Sequence, residues 1–301
     1  MQSAWRIIDC TNLEGRLRYA RGRLLVCPNQ KEEVEIPIVQ TAVILLGLKA
    51  SCSTALLFEL AKAGVSVLLC DWRGIPIGAL HSWNETPTVV VRRQHAQINM
   101  SVPRRKNAWM QIVKSKVRGQ AHCLDLHDCE GGDALREMAK HVRSGDVSNI
   151  EGQAARLYWG ALFPIEDFHR IPGGGSGRNA LLDYAYAILR GFVIKAIVSA
   201  GLIPSFGVNH HNRSNYYCLA DDLIEPYRPV IDDAVASLPS NDTLEQPSVK
   251  KYLVNAVNDS MIRGLTIPSS IMDFAQCFAI YCESKERQLD VPVFGEEHEK
   301  G

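Results

Sequence analysis

The period of the apolar residues changes once along this chain, near residue 95, and that change limits the fold more than any other feature. Upstream, short aliphatic runs at 5–8, 17–20 and 23–26 are divided by Asn12, Gly15, Gly22 and Pro28-Asn29. That spacing predicts strands joined by tight turns. Residues 34–38 alternate between facing in and facing out, whereas 42–46 are continuously apolar and predict a strand covered on both faces. One helix interrupts. Ser53 can cap it, Leu56, Leu57, Leu60 and Ala61 form its apolar stripe, and Gly64 can end it. Residues 65–69 return to strand, and 72–75 are expected to turn into one last short strand.

Downstream, helical periods take over at 94–100, 106–121, 135–142, 151–162, 179–200, 219–227 and from 261 onward. The expected fold is therefore α+β. A small N-terminal β domain with a helical cover spans 1–85, and a basic linker 86–103. A larger all-α domain carrying the chemistry spans 104–290, and an acidic tail 291–301 closes the chain. A chain of 301 residues buries about 75% of the surface it exposes when unfolded and needs no staples.

Composition excludes several classes. Thirty-three basic side chains balance 33 acidic ones and 46% of residues are hydrophobic, which rules out a disordered chain. The most apolar stretch, 180–204, contains Asp183, Arg190 and Lys195, so no membrane span is expected. Asp9 and Glu14 break the first stretch before a leader-length apolar run develops, so no secretory leader is expected either. The nine cysteines include no CxxC pair. They read as free thiols in a reducing cytoplasm, not as a zinc ribbon or a disulfide framework.

Local charge is less even. Between Thr86 and Leu124 there is no acid, but Arg92, Arg93, Arg104, Arg105, Lys106, Lys114, Lys116 and Arg118 are all present. Such a run is either a solvated face or a contact surface for a polyanion. Helical spacing puts Lys114 and Arg118 together and turns Lys116 aside. The expected DNA contacts are therefore Arg104, Arg105, Lys106, Lys114 and Arg118.

The densest chemistry lies at 207–229, where His210 and His211 precede Asp221, Asp222 and Glu225. On one continuous helix Asp222 and Glu225 share a face, about 4.5 Å apart along the axis. Carboxylates joined by one imidazole suit magnesium or manganese. The same acids also suit a solvated helix start. Glu151 is a second candidate, in the first turn of a helix with small residues beside it, where an acid is ordinarily a partner of the helix dipole. Gly173-Gly-Gly-Ser-Gly177 lacks the Gly-Lys-Ser/Thr of a phosphate loop and reads as a linker, and Ser176 has no acid–base pair near it in sequence. Tyr184/Tyr186 and Tyr216/Tyr217 read as core or wall.

Taken in order, four blocks resemble one family. They are Glu-Gly-x-Ala-Ala-Arg-x-Tyr from Glu151, Asn-Ala-Leu-Leu-x-Tyr-x-Tyr-Ala-x-Leu from Asn179, Gly-x-x-His ending at His210, and Leu-Ala-Asp-Asp-Leu-Ile-Glu-Pro-Tyr-Arg-Pro from Leu219. This order and spacing is similar to the CRISPR-associated adaptation endonuclease, the "Cas one" integrase, and most similar to its type II version.

The resemblance implies a divalent ion, Mg2+ or Mn2+, held by Glu151, His210 and Glu225. It places Asp222 as a further acid at the site and Asn179 as a support for the pocket. His211 has no clear family role. The implied reaction joins the 3′-hydroxyl of captured DNA to the CRISPR repeat by transesterification, with hydrolytic DNA cleavage as the related activity. The implied setting is a bacterial cytoplasm. The implied partners are DNA, a second copy of the chain through the β domain, and the small "Cas two" protein, a dimer of which bridges two such homodimers. A stand-alone nuclease for branched DNA and a non-catalytic basic scaffold are the rival readings.

Overall fold

The computed structural model describes residues 6–72, 74, 76–80, 82, 88–164 and 168–296. The chain forms two compact units, residues 1–86 and 87–301.

The first unit runs β1 (Arg6–Cys10), β2 (Gly15–Ala20), β3 (Arg23–Pro28), β4 (Val34–Pro37), β5 (Thr41–Leu46), β6 (Ala50–Cys52), α1 (Thr54–Lys62), β7 (Ser66–Cys70) and β8 (Pro76–Leu80). Two four-stranded sheets result, ordered β4-β3-β2-β6 and β1-β5-β7-β8. In the first, β2, β3 and β4 form an antiparallel meander, and β6 lies parallel to β2. Arg21 and Gly22, at φ 47° and 79°, make the β2–β3 turn with the positive φ pair that suits a two-residue hairpin. In the second sheet β1, β5 and β7 are parallel and β8 is antiparallel. Every residue of β5 is buried, as its unbroken apolar run requires of an inner parallel strand.

Ser53 caps α1, its Oγ accepting the Leu56 N–H at 3.2 Å. Leu56 and Leu60 then pack with Leu17, Leu24, Ile44, Val65 and Val67 into one core. The last strand is β8 at 76–80, later than the expected 72–75. Residues 73 and 75 of that stretch lie outside the described residues, as do Trp5 and 83–87.

The second unit contains α2 (Val90–Ile98), α3 (Val102–Leu126), α4 (Gly132–His141), α5 (Ile150–Leu162), α6 (Gly177–Ser199), α7 (Cys218–Leu223), α8 (Arg228–Ala236) and α9 (Pro247–Asp259). A small hairpin, β9 (Met261–Ile262) with β10 (Leu265–Thr266), leads into α10 (Ile267–Glu283). Helix α3 packs against α4, α5 and α8. Helix α6 is buried over most of its surface from Leu181 to Ile197, as apolar residues on nearly every side require, and its Asp183 and Arg190 are paired with Arg170 and Asp221. Among the described residues no helix is long and apolar enough to cross a membrane.

Four expectations need correction. The stretch expected as a linker is helical over α2. Arg92 pairs with Glu283 of α10 at 2.5 Å, and Arg93 donates to the Ala200 carbonyl at 2.7 Å. The unit is not purely α, because Arg263 and Gly264 at positive φ fold 261–266 into a hairpin before α10 begins.

The segment 219–227 is not one helix. Pro226 has no N–H to donate and disfavours helical geometry in the residue before it. Helix α7 therefore stops at Leu223, and a 3-10 turn at Glu225–Tyr227 intervenes before α8. Finally, the expected tail is packed at its start. Val291 and Val293 are buried, Ser115 donates to the Pro292 carbonyl, and Arg263 donates to that of Val291. Residues 297–301 lie outside the described residues.

Candidate metal centre

The site is built from the ends of short elements that converge on the buried face of α3. At the start of α5, the Asp146 carboxylate accepts the N–H groups of Ile150 and Glu151, each at 2.9 Å. Asn149, in the left-handed conformation, accepts from Gly152 at 3.2 Å. A Cβ at Gly152 would lie 2.8 Å from the Asn149 amide, so glycine follows Glu151 because the cap closes over it. This double cap aims Glu151 at α3.

Lys116 on α3 receives it. Its Nζ lies 2.6 Å from Glu151 Oε1 and 2.6 Å from Glu225 Oε2, so one ammonium bridges the two carboxylates. Arg228, one turn after Glu225, holds the other Glu225 oxygen at 2.8 Å. Burial opposes ionisation of Glu225, but Arg228 and then Lys116 outweigh it and hold the carboxyl well below the usual carboxylate range. Burial likewise works against the Lys116 charge, and Glu225 and Glu151 reverse the balance.

His210 and Asp222 form the second half. Asp222 is fully buried and faces the loop before α7, not Glu225. Its Oδ2 accepts the N–H groups of Val208 and, at 3.2 Å, Asn209. Its Oδ1 accepts the N–H of His210 at 3.2 Å and meets the ring at Nδ1 at 2.7 Å. A carboxylate on Nδ1 fixes the ring and leaves Nε2 free to bind. The hydrogen bond to Asp222 raises the His210 pKa, and burial raises that of Asp222. The two groups compete for one proton. The His210 ring stands edge-on to Trp109 of α3, with centroids 5.8 Å apart.

The structure thus joins Glu151 to Glu225 and His210 to Asp222. The ligand atoms of Glu151, His210 and Glu225 do not all fall within 4.8 Å of one another. The break at Pro226 explains why Asp222 and Glu225 do not share a helix face as expected. Asn179 sits elsewhere. It accepts from Arg170 and from the Ile171 N–H, each at 2.9 Å, and donates to the His169 carbonyl at 3.0 Å, pinning the loop before α6. His211 is exposed.

Sequence reasoning missed Lys116 as a site residue. Its signal was its position among Ile112, Val113, Ser115, Val117, Gly119 and Gln120, all buried. A lysine set among buried neighbours and itself only 12% exposed needs a partner for its charge. The donor set fits a hard divalent ion. Glu225 Oε2 is buried without a partner in hydrogen-bond geometry, and a cationic group already lies between two carboxylates.

Behind Glu225, Asp232 of α8 is 1% exposed and accepts from the hydroxyls of Tyr158, at 3.0 Å, and Tyr186. Burial pushes its pKa up to about 7, against about 3.9 in an unfolded chain. Between those values the folded chain keeps a proton that the unfolded chain has lost. The stabilisation from this group is therefore complete below about pH 4 and is lost as pH rises through 7. Asp232→Asn should remove that downward slope. Urea unfolding across this range measures it, and an unchanged slope would place the titration on another group.

The basic run divides. Arg104 donates to the Tyr281 carbonyl and to Ser284 and lies 4.0 Å over the Tyr281 ring. It anchors α3 to α10. Arg118 is exposed and lies 3.5 Å from Glu296. Lys106 is exposed, and Arg105 and Lys114 are half-buried.

A two-unit chain with carboxylates and an imidazole gathered on one helical unit defines the class, and comparison with known proteins supplies the family. The family model described as CRISPR associated protein Cas1 matches residues 10–256. The CRISPR-associated endonuclease Cas1 of Neisseria meningitidis serogroup C is 35% identical over 263 residues, covering 84% of this chain and 83% of the relative. A CRISPR-associated endonuclease Cas1 of Pyrobaculum aerophilum is 31% identical over 74% of this chain and 79% of its own length. The chain belongs to the Cas1 family. Among solved structures, a casposase bound to integration product superposes with a TM-score of 0.78 at 23% identity, covering 98% of this chain and 94% of that one. A CAS1 protein from Thermotoga maritima gives 0.75 at 17% identity, covering 97% and 100%. At those identities the likeness is one of fold.

Proposed function

We propose that this protein is a divalent-metal-dependent DNA integrase and endonuclease of CRISPR spacer acquisition. The observation that carries the proposal is Lys116, a largely enclosed cation, its side chain 12% exposed, shared by Glu151 and Glu225 beside a histidine that Asp222 holds in place. Glu151, Glu225 and Nε2 of His210 would hold Mg2+ or Mn2+. That ion, when bound, supplies positive charge against the developing charge of a phosphodiester under attack.

The chain's own residues prepare for this. Arg228 fixes the Glu225 carboxylate and Asp222 fixes the imidazole. Lys116 neutralises the two acids when no ion is present. In the reaction the 3′-hydroxyl oxygen of captured DNA bonds to a phosphorus of the repeat and gives up its proton. The phosphorus–O3′ bond of the repeat breaks and the leaving 3′-oxygen takes up a proton, directly or through water, so one phosphodiester and one 3′-hydroxyl replace another pair. Water in place of the hydroxyl gives cleavage.

DNA, a second copy of this chain and the small "Cas two" protein are the proposed partners. One structural neighbour is described as a Cas6-RT-Cas1–Cas2 complex and matches at a TM-score of 0.73. The test is strand transfer into a supercoiled CRISPR array with the partner protein. Activity should require Mg2+ or Mn2+ and vanish in Glu151→Ala. Metal-independent joining, or a fully active Glu151→Ala, would refute the site.

DNA contact is assigned to the residues that α3 leaves available, Arg105, Lys106, Lys114 and Arg118. Each phosphate contact removed should reduce the salt slope of duplex binding by about 0.9. Arg105→Ala/Lys106→Ala should weaken binding to DNA of any sequence and flatten its salt dependence, with sequence preference retained. Dissociation constants at several salt concentrations decide this, and an unchanged slope would mark a solvated face.

A further inference from the structure

We propose that Cys123, His127 and Asp233 form a second metal site, for a thiophilic divalent ion such as zinc, that clamps the end of α3 to α8. Cys123 and His127 are four residues apart near the C-terminal end of α3, so their side chains lie one above the other on one face. Asp233 comes from α8. One ligand atom from each, a sulfur, a nitrogen and an oxygen, lies within 4.8 Å of the other two. His127 Nε2 and Asp233 Oδ1 are already 2.9 Å apart. Tetrahedral zinc, with bonds of about 2.0–2.3 Å, needs its ligand atoms about 3.5 Å apart.

The donor chemistry separates this site from the first. A thiolate with one imidazole and one carboxylate selects zinc, cobalt or iron over magnesium and manganese. Three protein ligands leave the fourth position to solvent. The partly exposed His127 and Asp233, with side-chain exposures of 21% and 30%, open that position to water, whereas Cys123 is fully buried. Cys129 is outside the set, because its thiol donates to the His127 carbonyl at 3.4 Å. Cys123 lies two helical turns beyond Lys116, about 10 Å along α3, and the two sites share no residue. The competing account is a His127–Asp233 hydrogen bond with Cys123 as an apolar filler.

Cobalt(II), titrated into the full chain after chelation, tests the proposal. One equivalent should bind with a sulfur-to-cobalt charge-transfer band in the near ultraviolet. Cys123→Ser should abolish the band, and His127→Ala and Asp233→Asn should each weaken binding on the order of 100-fold. Glu151→Gln should leave the band intact, because that residue belongs to the oxygen-rich site. If Cys123→Ser fails to fold, the two partly exposed ligands give the same readout. No band in the parent, or a band that survives in His127→Ala and Asp233→Asn at parental affinity, overturns the proposal.

Discussion

Glu225→Ala is expected to destabilise the protein by about 3–5 kcal/mol and to abolish strand transfer. From spacing alone, removing one acid of a crowded cluster relieves repulsion and stability need not fall. The structure gives a loss. Glu225 is 4% exposed and lies within 2.8 Å of both Lys116 and Arg228. Its removal leaves the Lys116 ammonium with only Glu151 and the Arg228 guanidinium without its carboxylate, and a buried charge stripped of its partner is costly. The double variant Glu225→Gln/Lys116→Met removes both members of the Lys116–Glu225 pair and should recover only the part of the loss that the stranded Lys116 ammonium causes, because Arg228 still lacks its carboxylate and Glu151 its ammonium. It should remain inactive, because the carboxylate is still missing. Urea unfolding and strand transfer on the same preparations separate the two effects. Parental stability in Glu225→Ala would show that the ion pairs are not formed in solution.

Asp222→Ala is expected to be as damaging to strand transfer as His210→Ala, although Asp222 binds no metal in this account. Four groups lose their acceptor at once: the N–H groups of Val208, Asn209 and His210, and Nδ1 of the His210 ring. Each one left buried and unsatisfied costs about 1–3 kcal/mol, so the loop rearranges and carries the imidazole with it. Manganese affinity should fall about 10–100-fold, the usual range for loss of a residue that orients a ligand.

Gly207→Ala provides an independent probe of the same turn. A Cβ there would lie 2.7 Å from Asp222 Oδ2 and 2.5 Å from the His210 carbonyl, and should displace the loop with the carboxylate intact. Parental manganese affinity in Asp222→Ala, measured by calorimetry, would refute the positioning role.

Local pattern alone determined much of this protein. The change of apolar period separates the strand-rich first unit from the helical second. The unbroken apolar run at 42–46 marked the inner strand β5, and Ser53 and Gly64 marked the ends of α1, because strand burial and helix capping depend on residues close in sequence. The four motif blocks were legible for the same reason, and they carried the resemblance that the comparisons bear out.

Tertiary structure decided where charge goes. Lys116 read as one cation in a basic run, yet α3 turns it inward between acids 35 residues later in α5 and 109 residues later beside α8. Arg104 read as one more cation of the basic run, and the fold sets it against the Tyr281 carbonyl and ring. Asp222 and Glu225 read as one pair, yet Pro226 splits the helix and sends them to different partners. A charge's role depends on which opposite charge the fold brings within about 4 Å, and that neighbour is set by helix packing, which short-range periodicity does not encode.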